Sequence, residues 1–368
     1  MNALTAIGLM SGTSLDGVDV ALVETDGETI RRLGPTAFRP YRDDEQALLR
    51  VALADAAGIT DRTSRPGALA EAEQLVTRAH AEAVESFFAT QRLAAEAVAV
   101  VGFHGQTVLH KPAARLTVQI GDGPALASRL GIRVVHDFRA ADVAAGGEGA
   151  PLVPVFHQAL ARSLKLAHPI AVVNIGGVAN LTYLDDDADP VAFDTGPGNA
   201  PIDEIARRRT GAACDRDGRL AAHGTVHEEI VTRTLAHSFF GRRPPKSLDR
   251  EQFARLPVQA LSTEDAAATA TAVVAESIAR ARDHLPQVPA TWIVAGGGAH
   301  NPALISMLKE RIGASVLRAD EVGWSADALE AQAFAFLAVR SLRGLPLTFP
   351  STTGVPRPMT GGVLAEPA

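Results

Sequence analysis

The stretch Gly8-Leu9-Met10-Ser11-Gly12-Thr13-Ser14-Leu15-Asp16-Gly17-Val18-Asp19 separates two apolar or alternating runs, Thr5 to Met10 and Val18 to Glu24. This pattern predicts a β-hairpin with an unusually polar, glycine-bearing tip. The spacing matches neither the phosphate loop with its terminal Lys-Ser/Thr nor the dinucleotide fingerprint, because the turn joins two strands instead of opening a helix. Glycines still let backbone amides approach an oxyanion, and successive N–H groups in one concavity bind phosphate without cationic side chains. The pattern then returns. Ile170 to Ile175 is a β-branched run that leads into Gly176-Gly177-Val178-Ala179 and a second strand, Asn180 to Leu184. A third strand, Thr291 to Ala295, runs into Gly296-Gly297-Gly298. An internal echo of this kind predicts that the second half repeats the first in outline.

Between these markers, strand-like and helix-like patterns alternate. Apolar positions at three- and four-residue steps predict a helix over residues 68–93, followed by a buried strand from Ala97 to Val101. Further helices are expected over 265–284 and 327–343, and one after Asn301 with Pro302 at its first position and Gly313 just past its end. The Gly-rich stretch Ala144 to Pro154 reads as a hinge or mobile site loop, and Pro350 to Ala368 as an extended surface tail.

The composition narrows the classes. At 368 residues and 46% hydrophobic content the chain has room for two full cores. A net charge of −7 argues against nucleic-acid binding over a global basic surface. No run approaches the roughly 20 apolar residues of a membrane span. The single cysteine, Cys214, and the absence of a basic leader in Met1 to Met10 point to a cytoplasmic setting. Aromatic residues are only 5%, and alanine-rich stretches suggest helices packed closely through small side chains.

Four motifs carry a family likeness: the first hairpin turn, Phe103-His104-Gly105-Gln106-Thr107, Asn174-Ile175-Gly176-Gly177-Val178-Ala179-Asn180-Leu181-Thr182, and Phe193-Asp194-Thr195-Gly196-Pro197-Gly198-Asn199. Together they resemble the anhydro-N-acetylmuramic acid kinase family, from Gly8 to the Thr353-Gly354-Val355-Pro356 tail. The resemblance implies an α/β, duplicated actin-like (ribonuclease H-like) two-domain kinase fold with ATP in the interdomain cleft. The expected division is 1–135 and 136–368, the second part carrying the adenosine loop, the last helix and the tail. It implies that Gly12, Thr13, Ser14, Leu15, Asp16, Gly17, Val18 and Asp19, with Gly176 and Gly177, cradle the ATP phosphates, and that Gly296, Gly297 and Gly298 lie against the adenosine. Asp19 would hold Mg2+ through water. On the residues alone, Asp16 also fits a turn cap and Asp19 a solvated strand position.

The implied activity opens the 1,6-anhydro ring of a cell-wall sugar and phosphorylates the released oxygen, as part of peptidoglycan recycling. Water then needs a base on the far face of the acetal, and Asp194, before the rigid Thr195-Gly196-Pro197-Gly198 turn, is the candidate. A turn or helix cap is the alternative for Asp194. Glu330 resembles the second acidic site residue, although a carboxylate in a first helical turn is also favoured by the helix dipole. Arg139 would meet the lactyl carboxylate of the sugar, unless it pairs with Asp137 or Asp142. His104, Gln106, Thr107 and His136 offer hydrogen bonds to the sugar. The expected partners are a small-molecule sugar and no nucleic acid or membrane, with a homodimer left open. The rivals are another sugar or acetate kinase of this fold and an actin-like nucleotide switch.

Overall fold

A computed structural model describes residues 2–368 except 13, 187 and 327, and leaves out the side chains of Arg250 and Glu251. Thr13, expected at the phosphates, therefore lies outside the described residues. The chain forms two compact units, Met1–Leu160 with Ala328–Ala368, and Ala161–Asp327. The division thus falls later than residue 135, and the last helix and the tail belong to the first unit.

In the first unit the expected hairpin is β1 (Leu4–Met10) and β2 (Gly17–Thr25), extended by β3 (Ile30–Pro40). Beyond β1 come β4 (Val100–Phe103) and, after the small antiparallel pair β5 (Gln106–Lys111) and β6 (Leu116–Ile120), β7 (Val134–His136). The sheet order is β3-β2-β1-β4-β7, with β1, β4 and β7 parallel and β2 and β3 antiparallel to their neighbours. The second unit repeats this. Its strands β8 (Ile170–Ile175), β9 (Val178–Leu184), β10 (Val191–Pro197), β11 (Thr291–Ala295) and β12 (Ser315–Arg318) take the order β10-β9-β8-β11-β12, with β8, β11 and β12 parallel. This is the duplicated ribonuclease H-like arrangement of the actin-like fold. In each unit the carboxyl ends of three parallel strands lie at one edge of the sheet, the edge at which α/β folds place ligands.

The helix Leu69–Gln91 buries the face that the periodicity marked, including Ala72, Val76, Ala79 and Phe87. The helix Pro302–Ile312 starts as expected: Asn301 Oδ1 accepts a hydrogen bond from Leu304 N (3.1 Å), and Gly313 ends it at φ +66°. Two expectations are corrected. Residues 95–97 form a 3-10 turn, so the strand begins at Val100. The tail is structural: Pro350–Thr353 is a helical turn, and β13 (Val363–Ala365) adds to the outer edge of β7.

Small residues set the spacing. The helix Leu329–Leu342 lies so close to β1 and β4 that a Cβ on Gly8 would come 1.8 Å from Ala331 O, and one on Gly102 would come 2.1 Å from Phe334 O. Both obstacles are backbone and cannot rotate away. Gly8→Ala should therefore destabilise the first unit by about 1–3 kcal/mol, the range for overpacking, as read from urea unfolding. An unchanged midpoint would contradict this packing.

Candidate active site

Within the first unit, the turn after β1 is held from behind. Ser11 and Gln106 are fully buried; Ser11 Oγ donates to Gln106 Oε1 (2.7 Å), Gln106 Nε2 donates to Gly12 O (3.2 Å), and Tyr41 Oη lies 3.1 Å from Ser11 Oγ. Gln106, expected at the sugar, thus has both ends of its amide engaged by the hairpin turn. Leu15 N donates to Gly12 O (3.3 Å), and Leu15 takes φ +57° with its side chain in the core beside Val18. What Leu15 and Val18 can offer a phosphate is therefore backbone. Ser14 and Asp16 are exposed at the tip, their side chains bonded at 2.8 Å, while Gly17 and the half-buried Asp19 open β2.

His104 follows β4 and Arg139 follows β7, so the parallel pairing of these strands brings the two together. Arg139 Nη2 and Nε lie 3.0 and 3.3 Å from His104 Nε2, and Arg139 Nη1 donates to Gly149 O (2.8 Å). His104 Nδ1 lies 2.8 Å from Gly105 O. A carbonyl requires a proton on Nδ1 and a guanidinium requires a lone pair on Nε2, so both contacts select one neutral tautomer. Burial first, then the Arg139 charge, push the His104 pKa down to about 3. Neither alternative ion pair forms: Asp137 binds Arg62, and Asp142 turns to Gly149 N (2.7 Å) and Thr353 Oγ1 (2.6 Å). Thr353 O also accepts from Glu148 N (2.7 Å), so the Gly-rich loop expected to be mobile is anchored by the tail.

Glu330 stands in the first turn of the 329–342 helix, near enough for the Arg139 charge to act on it. Its side chain is reached by solvent, yet desolvation by the surrounding protein raises its carboxyl pKa more than Arg139 lowers it. Two residues stand apart. Thr107 Oγ1 accepts from Gln119 Nε2 (3.3 Å) inside the small sheet. The His136 ring packs on the start of the helix Gly123–Leu130, where a Cβ on Gly123 would lie 2.3 Å from its Cδ2.

In the second unit three glycine turns converge. Gly198 N donates to Gly177 O (3.0 Å), Asn199 N to Gly176 O (2.7 Å) and Asn199 Nδ2 to Ile175 O (3.2 Å). Gly296 takes φ +76°, and a Cβ there would lie 2.4 Å from Asn174 Oδ1. Gly297 is exposed, and beyond it a concavity of about 340 Å³ is lined by Ala299, His300, Pro302, Ile305, Lys309 and Arg318. Asp194 lies inside β10, which runs past Phe193, at a β-bulge between Asp194 and Gly196. Bulges re-aim side chains next to active sites. Asp194 N donates to Lys246 O (3.0 Å) and Asp194 Oδ2 accepts from Leu248 N (2.7 Å). Sequence reasoning missed Lys246, whose only signal was its place after Pro244-Pro245, and also Asp142, Thr353 and Ser11.

The neutral His104 gives a signed prediction. Its folded pKa of about 3 lies below the ordinary 6.5, so stability present above pH 6.5 is lost as the pH falls toward 3. This histidine contributes up to about 1.4 kcal/mol per pH unit in that window. Unfolding free energies measured from pH 6.5 to 4 should show a shallower slope in His104→Gln; an equal slope would contradict the neutral state of His104.

A sequence profile of the anhydro-N-acetylmuramic acid kinase family matches residues 4–367. A protein of Rhodopseudomonas palustris (strain BisB18) named anhydro-N-acetylmuramic acid kinase is 59% identical over 365 residues, covering 99% of this chain and 100% of its own. One of the same name from Azorhizobium caulinodans is 59% identical over 369 residues, with 99% and 100% covered. Among solved structures, the (R)-2-hydroxyglutaryl-CoA dehydratase component A of Acidaminococcus fermentans aligns over 92% of this chain and 99% of its own, at 13% identity and a TM-score of 0.49.

Proposed function

Since the chain belongs to the anhydro-N-acetylmuramic acid kinase family, we propose that Asp194 is the base that activates water in its reaction. The protein is a phosphotransferase of peptidoglycan recycling, and it converts anhydro-N-acetylmuramic acid, ATP and water to N-acetylmuramic acid 6-phosphate and ADP. The anhydro sugar has no free 6-hydroxyl, so hydrolysis and phosphorylation must be coupled. Water attacks the anomeric carbon as Asp194 takes its proton, and the bond from that carbon to the 6-oxygen breaks. The released oxygen attacks the γ-phosphorus, displacing ADP, and the proton on Asp194 leaves to solvent. The attacking water and the departing oxygen lie on opposite faces, as in an inverting glycosidase.

One observation carries this reading: Asp194 sits at a β-bulge near the end of β10, with one carboxylate oxygen fixed by Leu248 N. Arg139 supports it. No carboxylate among the described residues lies within ion-pair distance of this guanidinium, which His104 and Gly149 hold in place. It suits the lactyl carboxylate, and Glu330 then orients the water. The turns at Gly12–Asp19 and Gly176–Gly177 offer backbone amides to the ATP phosphates, and Gly296–Gly298 with the adjoining concavity offers room for adenosine. Asp19, half-buried at the start of β2, would hold Mg2+ through water, since kinases hold this ion through one or two carboxylates and the phosphates themselves. When bound, the ion would neutralise charge on those phosphates. No helix among the described residues is long and apolar enough to cross a membrane, in keeping with a cytoplasmic role.

Asp194→Asn should lower kcat by about 10²–10⁴-fold, the range for a lost general base, with ATP affinity by calorimetry unchanged. Near-normal turnover would remove Asp194 from this role. Arg139→Met should raise KM for the sugar about 10- to 100-fold, as expected for a lost charged hydrogen bond, with little change in KM for ATP.

A further inference from the structure

Asp194 lies on an edge strand. β10 pairs with β9 on one side only, and at Asp194 the other side is covered by the strap Lys246–Leu248. The strap holds the residue through Lys246 O on its backbone and Leu248 N on its carboxylate. The Lys246 side chain is one anchor of the strap. Lys246 is 5% exposed, and its Nζ points inward, 3.3 Å from Phe239 O and 3.4 Å from Phe240 O. It stands 4.8 and 5.6 Å from the ring centroids of Phe239 and Phe193. His284 Nε2 lies 3.4 Å away but is itself 2.7 Å from Phe240 O.

No carboxylate among the described residues lies within ion-pair distance of Nζ. A buried cation of this kind is held by carbonyl dipoles and ring faces, and by attraction to the Asp194 carboxylate. Desolvation, with a further push from Arg242, lowers its pKa to about 8 against the upward pull of Asp194, so it is charged at neutral pH.

We infer that Lys246 is a positioning residue for the reaction: by tying the 246–248 strap to the Phe239 and Phe240 carbonyls it fixes the direction of the Asp194 carboxylate, and its charge favours the ionised form. The inference rests on Asp194 being the base, and the experiment separates the two. Asp194→Asn, Lys246→Met and Lys246→Arg are compared by kcat, KM and the pH profile of kcat. Lys246→Met should lose about 10²-fold in kcat, as a misplaced catalytic group does, with KM for ATP within about twofold. The acidic limb should move up by about half a pH unit or more, because the neighbouring cation is gone. Lys246→Arg, charged at all these pH values, should recover part of kcat and return the limb toward the wild type.

A merely structural lysine would lower the melting temperature without moving that limb. Should Lys246→Met not fold, Leu248→Pro, which removes the donor to Asp194 Oδ2 and leaves the lysine in place, must give the same split between kcat and KM. In the wild type, kcat must also fall as the pH rises through about 8, where Lys246 loses its proton. Full kcat with an unshifted limb in a folded variant, or a wild-type profile flat well above pH 8, overturns the inference. If Asp194→Asn is inactive in that case, the base assignment stands and only the role of Lys246 falls. If Asp194→Asn turns over normally, the base assignment falls first.

Discussion

The first unit depends on a contact in which side chains take no part on one side. At Gly8 and Gly102 the sheet presents bare backbone, and the carbonyls of Ala331 and Phe334 occupy the space a Cβ would need. Nothing larger than glycine allows the 329–342 helix to lie so low on β1 and β4. Its first turn carries Glu330 to within electrostatic reach of Arg139, whose backbone follows the adjacent parallel strand β7. The chain beyond that helix then turns back to supply Thr353 to Asp142 and β13 to the sheet edge. The last forty or so residues are thus built into the unit that the first residues begin.

This return of the chain explains what was legible in the sequence and what was not. Hairpins, glycine turns and helix caps are local, and their residues announce them: Gly12 to Gly17, Gly176-Gly177, and Asn301 with Pro302. β3 announces itself poorly, because Ile30 to Pro40 contains Gly34, Pro35 and Arg31-Arg32 and owes its extension to pairing with β2. β13 is three residues long and exists only because β7 offers an edge. The division into units escaped the sequence for the same reason, since pairing across some two hundred residues leaves no local trace.

At the candidate site the legible part was residue type, and the illegible part was direction. Gln106 and His104 stand two residues apart in one motif, yet Gln106 turns inward to hold Gly12 and His104 turns to Arg139. Lys246 follows Arg242 and Arg243 closely in sequence, and only burial and the carbonyls of Phe239 and Phe240 set it apart from them. The two main candidates are held by different means. A neutral histidine fixes Arg139 without cancelling its charge, leaving it suited to an anion. The Asp194 carboxylate instead accepts a hydrogen bond from a backbone amide, Leu248 N, which fixes the direction of one oxygen.

The reaction requires that water attack the anomeric carbon and that the sugar's own 6-oxygen, released from that carbon, receive the phosphoryl group. Mass spectrometry of the product formed from ATP, magnesium and anhydro-N-acetylmuramic acid in 18O-water tests this most directly. The account predicts one 18O at the anomeric oxygen of N-acetylmuramic acid 6-phosphate and none in the transferred phosphoryl group. An unlabelled anomeric oxygen, or label in the phosphate, would contradict it.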